Sequence, residues 1–234
     1  MEKPALADPL WRYMDFTKFV AMLVKGGMYL TRVDQLGDVY EGYVPKSPTA
    51  HYGGFFGEEW LKRDRKLREE SRELRKQFYV NCWHGNDKQS DAMWKLYVKG
   101  NEGVAIRTTC RNLQAALEDA EEELWIYKVM YADYEDEPIH DGSMLRACLA
   151  KRDAFEHEKE VRVVFRNTEP SRSQRKKGKS NRGFYVKCNM STLIECVYIA
   201  PTVYPWFEPI ISDVLDKYGI DVEVIQSGLN SKPQ

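Results

Sequence analysis

Apolar residues along the chain switch repeatedly between a period of about 3.6 and a period of two, the signatures of amphipathic helix and half-buried strand. Phe16, Phe19, Val20, Leu23 and Val24 follow the helical period behind Asp15, and Gly26-Gly27 stands where a glycine C-cap belongs. Met28 to Val33 then reads as a strand. A loop rich in Asp, Gly and Pro runs from Asp34 to about Gly57. Glu58 to Lys76 predicts a polar helix whose Trp60, Leu67 and Leu74 recur every seven residues. Phe78 to Trp83 predicts a strand, Ser90 to Tyr97 a short helix, Gly103 to Arg107 a strand and Asn112 to Leu124 a helix. Trp125 to Tyr131 predicts a strand, Tyr134 to Gly142 an acidic turn, Ser143 to Phe155 a helix and Glu160 to Arg166 a strand. Beyond the basic stretch 168–182, strands are expected at Phe184–Cys188, Leu193–Ala200 and Ile220–Gln226, with a helix at Trp206–Tyr218 stopped by Gly219.

The elements intermix without a regular βαβ repeat, and short polar turns join several strands, which suits antiparallel pairing. The expected fold is α+β: a single domain over 1–234 with a mostly antiparallel sheet flanked by helices. Segment 58–77 is a charged helical insertion within it, and 168–182 a flexible basic loop.

Composition narrows the class. Over 234 residues, 35 Lys and Arg stand against 36 Asp and Glu, for a net charge of -1. That balance does not support a general nucleic-acid or polybasic membrane protein, although the run Arg172, Arg175, Lys176, Lys177, Lys179 and Arg182 is locally basic. No apolar run approaches the ~20 residues of a spanning helix, and no secretory signal pattern opens the chain. Five cysteines without a CxxC pair read as buried free thiols in a reducing cytoplasm. No metal site is predicted, because the cysteines and four histidines are scattered.

The densest chemistry lies between Lys151 and Arg162. In a strand, Glu158, Glu160 and Arg162 would share one face, opposite Val161 and Val163. One reading is the wet side of a half-exposed strand. The other is a paired-carboxylate site in which Lys151 and Arg162 offset the repulsion, one glutamate orients a sugar hydroxyl and the other stabilises developing positive charge. A second cluster holds Ser90, Trp94 and Tyr97. Ser90 reads as a helix cap or as a ligand hydroxyl, and the aromatics as core or as a wall for a planar ring. Arg12, with the Asp38–Gly42 loop and its Glu41, reads as a surface ion-pair partner or a phosphate clamp. The phosphate-loop, dinucleotide-fold, zincin and nucleophile-elbow motifs are absent.

Leu10–Tyr13, Asp38–Gly42, Val80–Trp83, Ser90–Tyr97, Gly103–Ile106, Lys151 with Phe155–Arg162, and Tyr198–Pro201 together resemble the bacterial domain-of-unknown-function family 2971. Tyr40 stands where that family more often has Phe, and the helix from Glu58 resembles an insertion that many members shorten. The resemblance implies a soluble bacterial cytoplasmic domain, with some members linked to phage defence or abortive infection. Glu158-Lys159-Glu160-Val161 is also similar to the last motif of ADP-ribosyltransferases, with Arg12 standing for their early-strand Arg and Ser90 loosely for their middle motif. Three expectations follow. The first is an interaction or regulatory module of a phage-defence or toxin–antitoxin pair, meeting a protein partner or a second copy through 58–77. The second is an NAD- or nucleotide-using transferase with Glu160 and Glu158 at its centre. The third is a Mg²⁺-dependent nuclease using Asp38, Glu41, Glu158 and Glu160, with Lys151 near a phosphate.

Overall fold

In the computed structural model, residues 1–43, 53–133, 143–168 and 182–230 are described, except for side chains at 53–57, 60–61, 63–64 and 67–68. In chain order these are β1 (Pro9–Asp15), α1 (Phe16–Lys25), β2 (Gly27–Arg32), α2 (Gly53–Leu74), β3 (Phe78–Gly85), α3 (Asp91–Tyr97), β4 (Gly103–Thr109) and α4 (Cys110–Ala116). There follow β5 (Leu124–Lys128), β6 (Met130–Ala132), α5 (Met144–Cys148), β7 (Ala150–Arg152), a 3₁₀ turn (Asp153–Glu158), β8 (Glu160–Arg166), β9 (Gly183–Lys187), α6 (Met190–Leu193), β10 (Cys196–Ile199), α7 (Phe207–Lys217) and β11 (Glu223–Gln226). The fold is α+β with mostly antiparallel pairing, as the alternating periods predict.

The chain forms two compact units, each built from three stretches: Met1–Lys3, Leu30–Asn81 and Glu123–Phe184 in the first, Pro4–Tyr29, Cys82–Glu122 and Tyr185–Gln234 in the second. In the second unit β1 pairs antiparallel with β4 along its whole length, from Pro9↔Thr109 to Asp15↔Gly103. β4 pairs antiparallel with β10, and β10 runs parallel to β11. Trp11, Tyr13, Met93, Trp94, Ala105 and Ala200 form its aromatic core. β1 escapes a periodicity reading because Leu10, Trp11, Tyr13 and Met14 are buried on both faces, which removes the alternation.

In the first unit β5 pairs antiparallel with β8 from Leu124↔Phe165 to Lys128↔Val161. At Val129 the chain changes partner. The Val129 N–H still reaches the Glu160 carbonyl at 2.8 Å, but Met130 N–H goes to the Leu149 carbonyl, also at 2.8 Å. β6 then runs parallel to β7, with Tyr131 opposite Lys151. The single strand expected over Trp125–Tyr131 is therefore two strands in two ladders.

Other expectations are corrected at the same level. The helix expected over Ser143–Phe155 ends at Cys148, because Ala150–Arg152 finds a strand partner in β6 and the chain then tightens into the 3₁₀ turn. The helix expected to reach Leu124 stops at Ala116, and Leu124 opens β5. Leu193 closes α6, capped by the Asn189 side chain, instead of opening a strand. Glycines at 26 and 219 end α1 and α7 in the left-handed region, as read from the sequence. The segment 58–77, expected as an insertion, is helical, as part of α2 with a following 3₁₀ turn at Arg75–Gln77. The side chains of Trp60 and Leu67 lie outside the described residues, as do the acidic turn 134–142 and nearly all of the basic loop 168–182. Of the cysteines, Cys110, Cys148, Cys188 and Cys196 are buried free thiols, and Cys82 is half-buried. No helix of the described residues is long and apolar enough to cross a membrane.

Candidate functional site: a buried carboxylate cluster

The change of partner at Val129 brings β6 and β7 beside the first residue of β8. Lys151 thereby lies among three glutamates. Its Nζ is 2.9 Å from Glu158 Oε2, 3.4 Å from Glu160 Oε2 and 3.8 Å from Glu41 Oε1. Arg162, two residues along β8, grips Glu160 side-on, with Nε to Oε1 at 2.8 Å and Nη2 to Oε2 at 2.9 Å. The same Nη2 donates to Glu41 Oε2, and Nη1 donates to the Cys148 carbonyl at 2.6 Å. All five residues are buried, with Arg162 at 0% exposure. The wet-strand reading is overturned, since β8 is covered on both faces from Glu160 to Val164.

The strand geometry expected for the pair is also corrected. Glu158 ends the 3₁₀ turn, and β8 begins only at Glu160. Between them Lys159 adopts φ 40 and ψ 52, the described residues' one non-glycine positive φ. Simple alternation therefore does not place Glu158 and Glu160 together; a left-handed residue does. An L side chain there costs about 1–2 kcal/mol, less what glycine loses in chain entropy. Lys159→Gly is therefore expected to stabilise the fold by about 0.5–1 kcal/mol. Urea unfolding at pH 7 measures it, and a destabilised variant would show that the strain is absent.

Glu160 is held through its backbone as well. Its N–H donates to the Tyr131 hydroxyl at 2.7 Å, and its carbonyl accepts from Val129. Burial raises the Tyr131 pKa, so the hydroxyl stays neutral. Tyr131 is a site residue the sequence reading missed; its signal was only the shared side of Tyr127, Val129 and Tyr131. Burial also pushes the Glu41 carboxyl above its ordinary value, opposed by Arg162, reinforced by Glu160 and opposed again by Lys151. For Lys151 burial disfavours the charge, but Glu160, Glu41 and Glu158 outweigh it and its pKa rises.

Glu41 reaches the cluster from the Asp38–Gly42 turn. Asp38 caps the turn by accepting from the Tyr40 N–H at 3.1 Å, and both its oxygens pair with Arg152, at 3.2 and 3.3 Å. Gly42 has φ +67, and a Cβ there would lie 2.7 Å from Val33 Cγ1. Only glycine lets the turn close with Glu41 facing inward.

The remaining candidates belong to the second unit. Arg12 is half-buried, donates Nη1 to the Cys82 carbonyl and stands 5.9 Å from the Trp83 ring centroid. Ser90 is the N-cap of α3, its hydroxyl accepting from Met93 N–H at 3.4 Å, while its own N–H donates to the Tyr13 hydroxyl at 2.9 Å. Trp94 is core, edge-on to Tyr13 at 5.0 Å, whereas Tyr97 is exposed, so the two do not make one wall. Among the described residues, no group of three or more His, Cys, Asp or Glu is placed to hold a metal ion. Glu41 and Asp38, expected as Mg²⁺ ligands, instead pair with arginines.

No family model matches the chain, and no curated protein does. Among solved structures, it is similar to Thermus sp. 2.9 DarT in complex with NAD+, with 10% identity and a TM-score of 0.42 over 96% of this chain and 97% of that one. It is similar also to Thermus sp. 2.9 DarT in complex with ADP-ribosylated ssDNA, with 8% identity and a TM-score of 0.42 over 97% of each chain. A likeness of that size does not establish a shared fold.

Proposed function

We propose that the protein transfers a ribosyl group from a pyridinium nucleotide, with NAD+ as donor, and that the cluster around Glu160 is its catalytic centre. The observation that carries this reading is the burial of three carboxylates around shared cations. Among the described residues, Glu41, Glu158 and Glu160 gather about Lys151 and Arg162 in a buried setting. Replacing buried ion pairs by apolar packing is often neutral or stabilising, so stability alone gives little reason for such a cluster. Perturbed, closely coupled buried groups concentrate at functional sites.

Preorganised negative charge suits a transition state that becomes cationic at the reacting carbon. In ribosyl transfer the bond from C1′ to the pyridinium nitrogen breaks, and its electron pair leaves on neutral nicotinamide. The sugar becomes oxocarbenium-like, as in glycoside hydrolysis. An acceptor O–H or N–H then bonds to C1′ and yields its proton to a carboxylate or to water. Arg162 and Tyr131 fix Glu160, so its charge is oriented before reaction. The Lys151 ammonium stands between Glu158 and Glu160, 2.9 and 3.4 Å away, and offsets the repulsion of the two side chains.

The test is nicotinamide release from NAD+, followed by chromatography, with nucleic acid, protein and water each offered as acceptor. Release above the level of a Glu160→Gln control is expected with at least one of them. Equal release by the two proteins under every condition would overturn the reading.

A further inference from the structure

The 3₁₀ turn Asp153–Glu158 joins β7 to β8 and flanks the carboxylate cluster. In a 3₁₀ turn, side chains three residues apart lie one above the other. Phe155 and Glu158 stand at that spacing, so the turn presents a ring and a carboxylate on one side. Both meet Lys151. Its Nζ lies 4.8 Å from the Phe155 ring centroid and 2.9 Å from Glu158 Oε2. The other residues of the turn, Asp153, Ala154, Glu156 and His157, are exposed, whereas Phe155 is half-buried and Glu158 buried. The left-handed Lys159 then ends the turn and passes the chain to Glu160.

Lysine carries its charge on a flexible stem with three rotatable donors. Among carboxylates at 2.9, 3.4 and 3.8 Å, hydrogen bonding alone leaves the ammonium several neighbouring positions. An aromatic ring adds an attraction that depends on where the cation stands over it. That attraction grows where water is excluded, and Lys151 is buried. The ring therefore favours the position in which Nζ meets Glu158 and Phe155 together. Arg152 lies against the same ring, with its guanidinium carbon 5.2 Å from the centroid, but both oxygens of Asp38 already fix that group.

We infer that Phe155 is a positioning residue: its ring, with Glu158, clamps the Lys151 ammonium among the three glutamates and so sets the charge that Glu158 and Glu160 present to the reacting sugar. The effect on the sugar rests on the transferase reading; the clamp on Lys151 does not. Coulomb energy varies inversely with distance and is poorly screened in a buried cluster. A misplacement of about 1 Å near a reacting centre is enough to slow a reaction severely.

The test compares the full-length wild type with Phe155→Leu, which keeps apolar bulk and removes the ring, and with Phe155→Tyr, which keeps the ring. The first readout is exchange of the Lys151 ammonium protons with water, followed by NMR on protein carrying ¹⁵N-lysine and assigned by the signal lost in Lys151→Arg. Phe155→Leu is expected to speed that exchange by about tenfold, and Phe155→Tyr to stay within about threefold of the wild type. The second readout is nicotinamide release from NAD+. Its kcat is expected to fall by about tenfold in Phe155→Leu with KM within about twofold, and to stay within about threefold of the wild type in Phe155→Tyr. Phe155→Met takes the place of Phe155→Leu where the latter does not fold. Unchanged Lys151 exchange without the ring, or equal losses in Phe155→Leu and Phe155→Tyr, would overturn the inference. So would wild-type kcat in a variant whose Lys151 exchange has quickened. Faster exchange in Phe155→Leu, with no nicotinamide release by any of the proteins, would leave the clamp standing and remove the transferase reading.

Discussion

Arg162→Met is expected to cost about 3–5 kcal/mol of folding stability, the range seen when one partner of a buried ion pair is removed. The side chain is fully buried and supplies hydrogen bonds to Glu160, Glu41 and the Cys148 carbonyl. Methionine fills similar space and supplies none of them. Two carboxylates and a carbonyl then stay buried without the guanidinium that had paired with them. Urea denaturation with matched m-values measures the loss, and a cost below about 1 kcal/mol would show that the cluster tolerates the missing charge. Two further readings separate this cause from simple misfit. Adding Glu41→Leu to the variant is expected to recover part of the loss, because one orphaned carboxylate goes with it. The deficit is also expected to shrink on acidification. A buried carboxyl deprived of its cation has a folded-state pKa raised above the unfolded value. Its penalty is absent below the unfolded pKa and grows as pH rises through the window up to the folded pKa. Glu41, already raised in the wild type with Arg162 present, moves further in the same direction.

Glu160→Gln is expected to separate stability from chemistry. Glutamine keeps the shape of the side chain and one oxygen for Arg162, and it removes one buried negative charge. The fold is therefore expected to stay within about 1 kcal/mol of the wild type, since Glu41 still pairs with Arg162 and Glu158 with Lys151. Nicotinamide release is expected to fall by about 10²–10³-fold, the usual cost of deleting one preorganised electrostatic contact to a transition state. A variant that unfolds would assign Glu160 to stability. A variant that folds and releases nicotinamide at the wild-type rate would remove it from the reaction. Glu158→Gln leaves the Arg162 clamp untouched and provides the parallel measurement.

Several elements were legible because a local rule governs them. Helix α1 has its apolar stripe and its glycine stop at 26. Ser90 is followed by Asp91 in the first turn of α3, and its hydroxyl makes the predicted cap. β8 carries Val161, Val163 and Phe165 inward as its alternation requires, although its polar positions are also buried. Lys151, Glu158, Glu160 and Arg162 could be named because charged residues at that density around an apolar strand need a reason, and Glu41 was named separately, with the Asp38–Gly42 loop and Arg12. Where the reading failed, the cause was a partner far away in sequence. Ala150–Arg152 is strand only because β6 lies beside it. β1 hides its identity because both its faces are covered.

The sequence alone therefore determined the α+β class, the positions of caps and glycine stops, and the set of ionisable residues available for chemistry. These depend on near neighbours along the chain, and nearest-neighbour physics can be read from one strand of text. Tertiary structure alone decided that Glu41 joins Glu158 and Glu160, that Lys151 stands among all three, and that Arg162 is sealed inside rather than wet. Those facts depend on the switch of ladders at Val129, the left-handed Lys159 and the closed turn at Gly42. Electrostatic energy depends on distance through space and on exclusion of water, and neither quantity exists until the chain has folded.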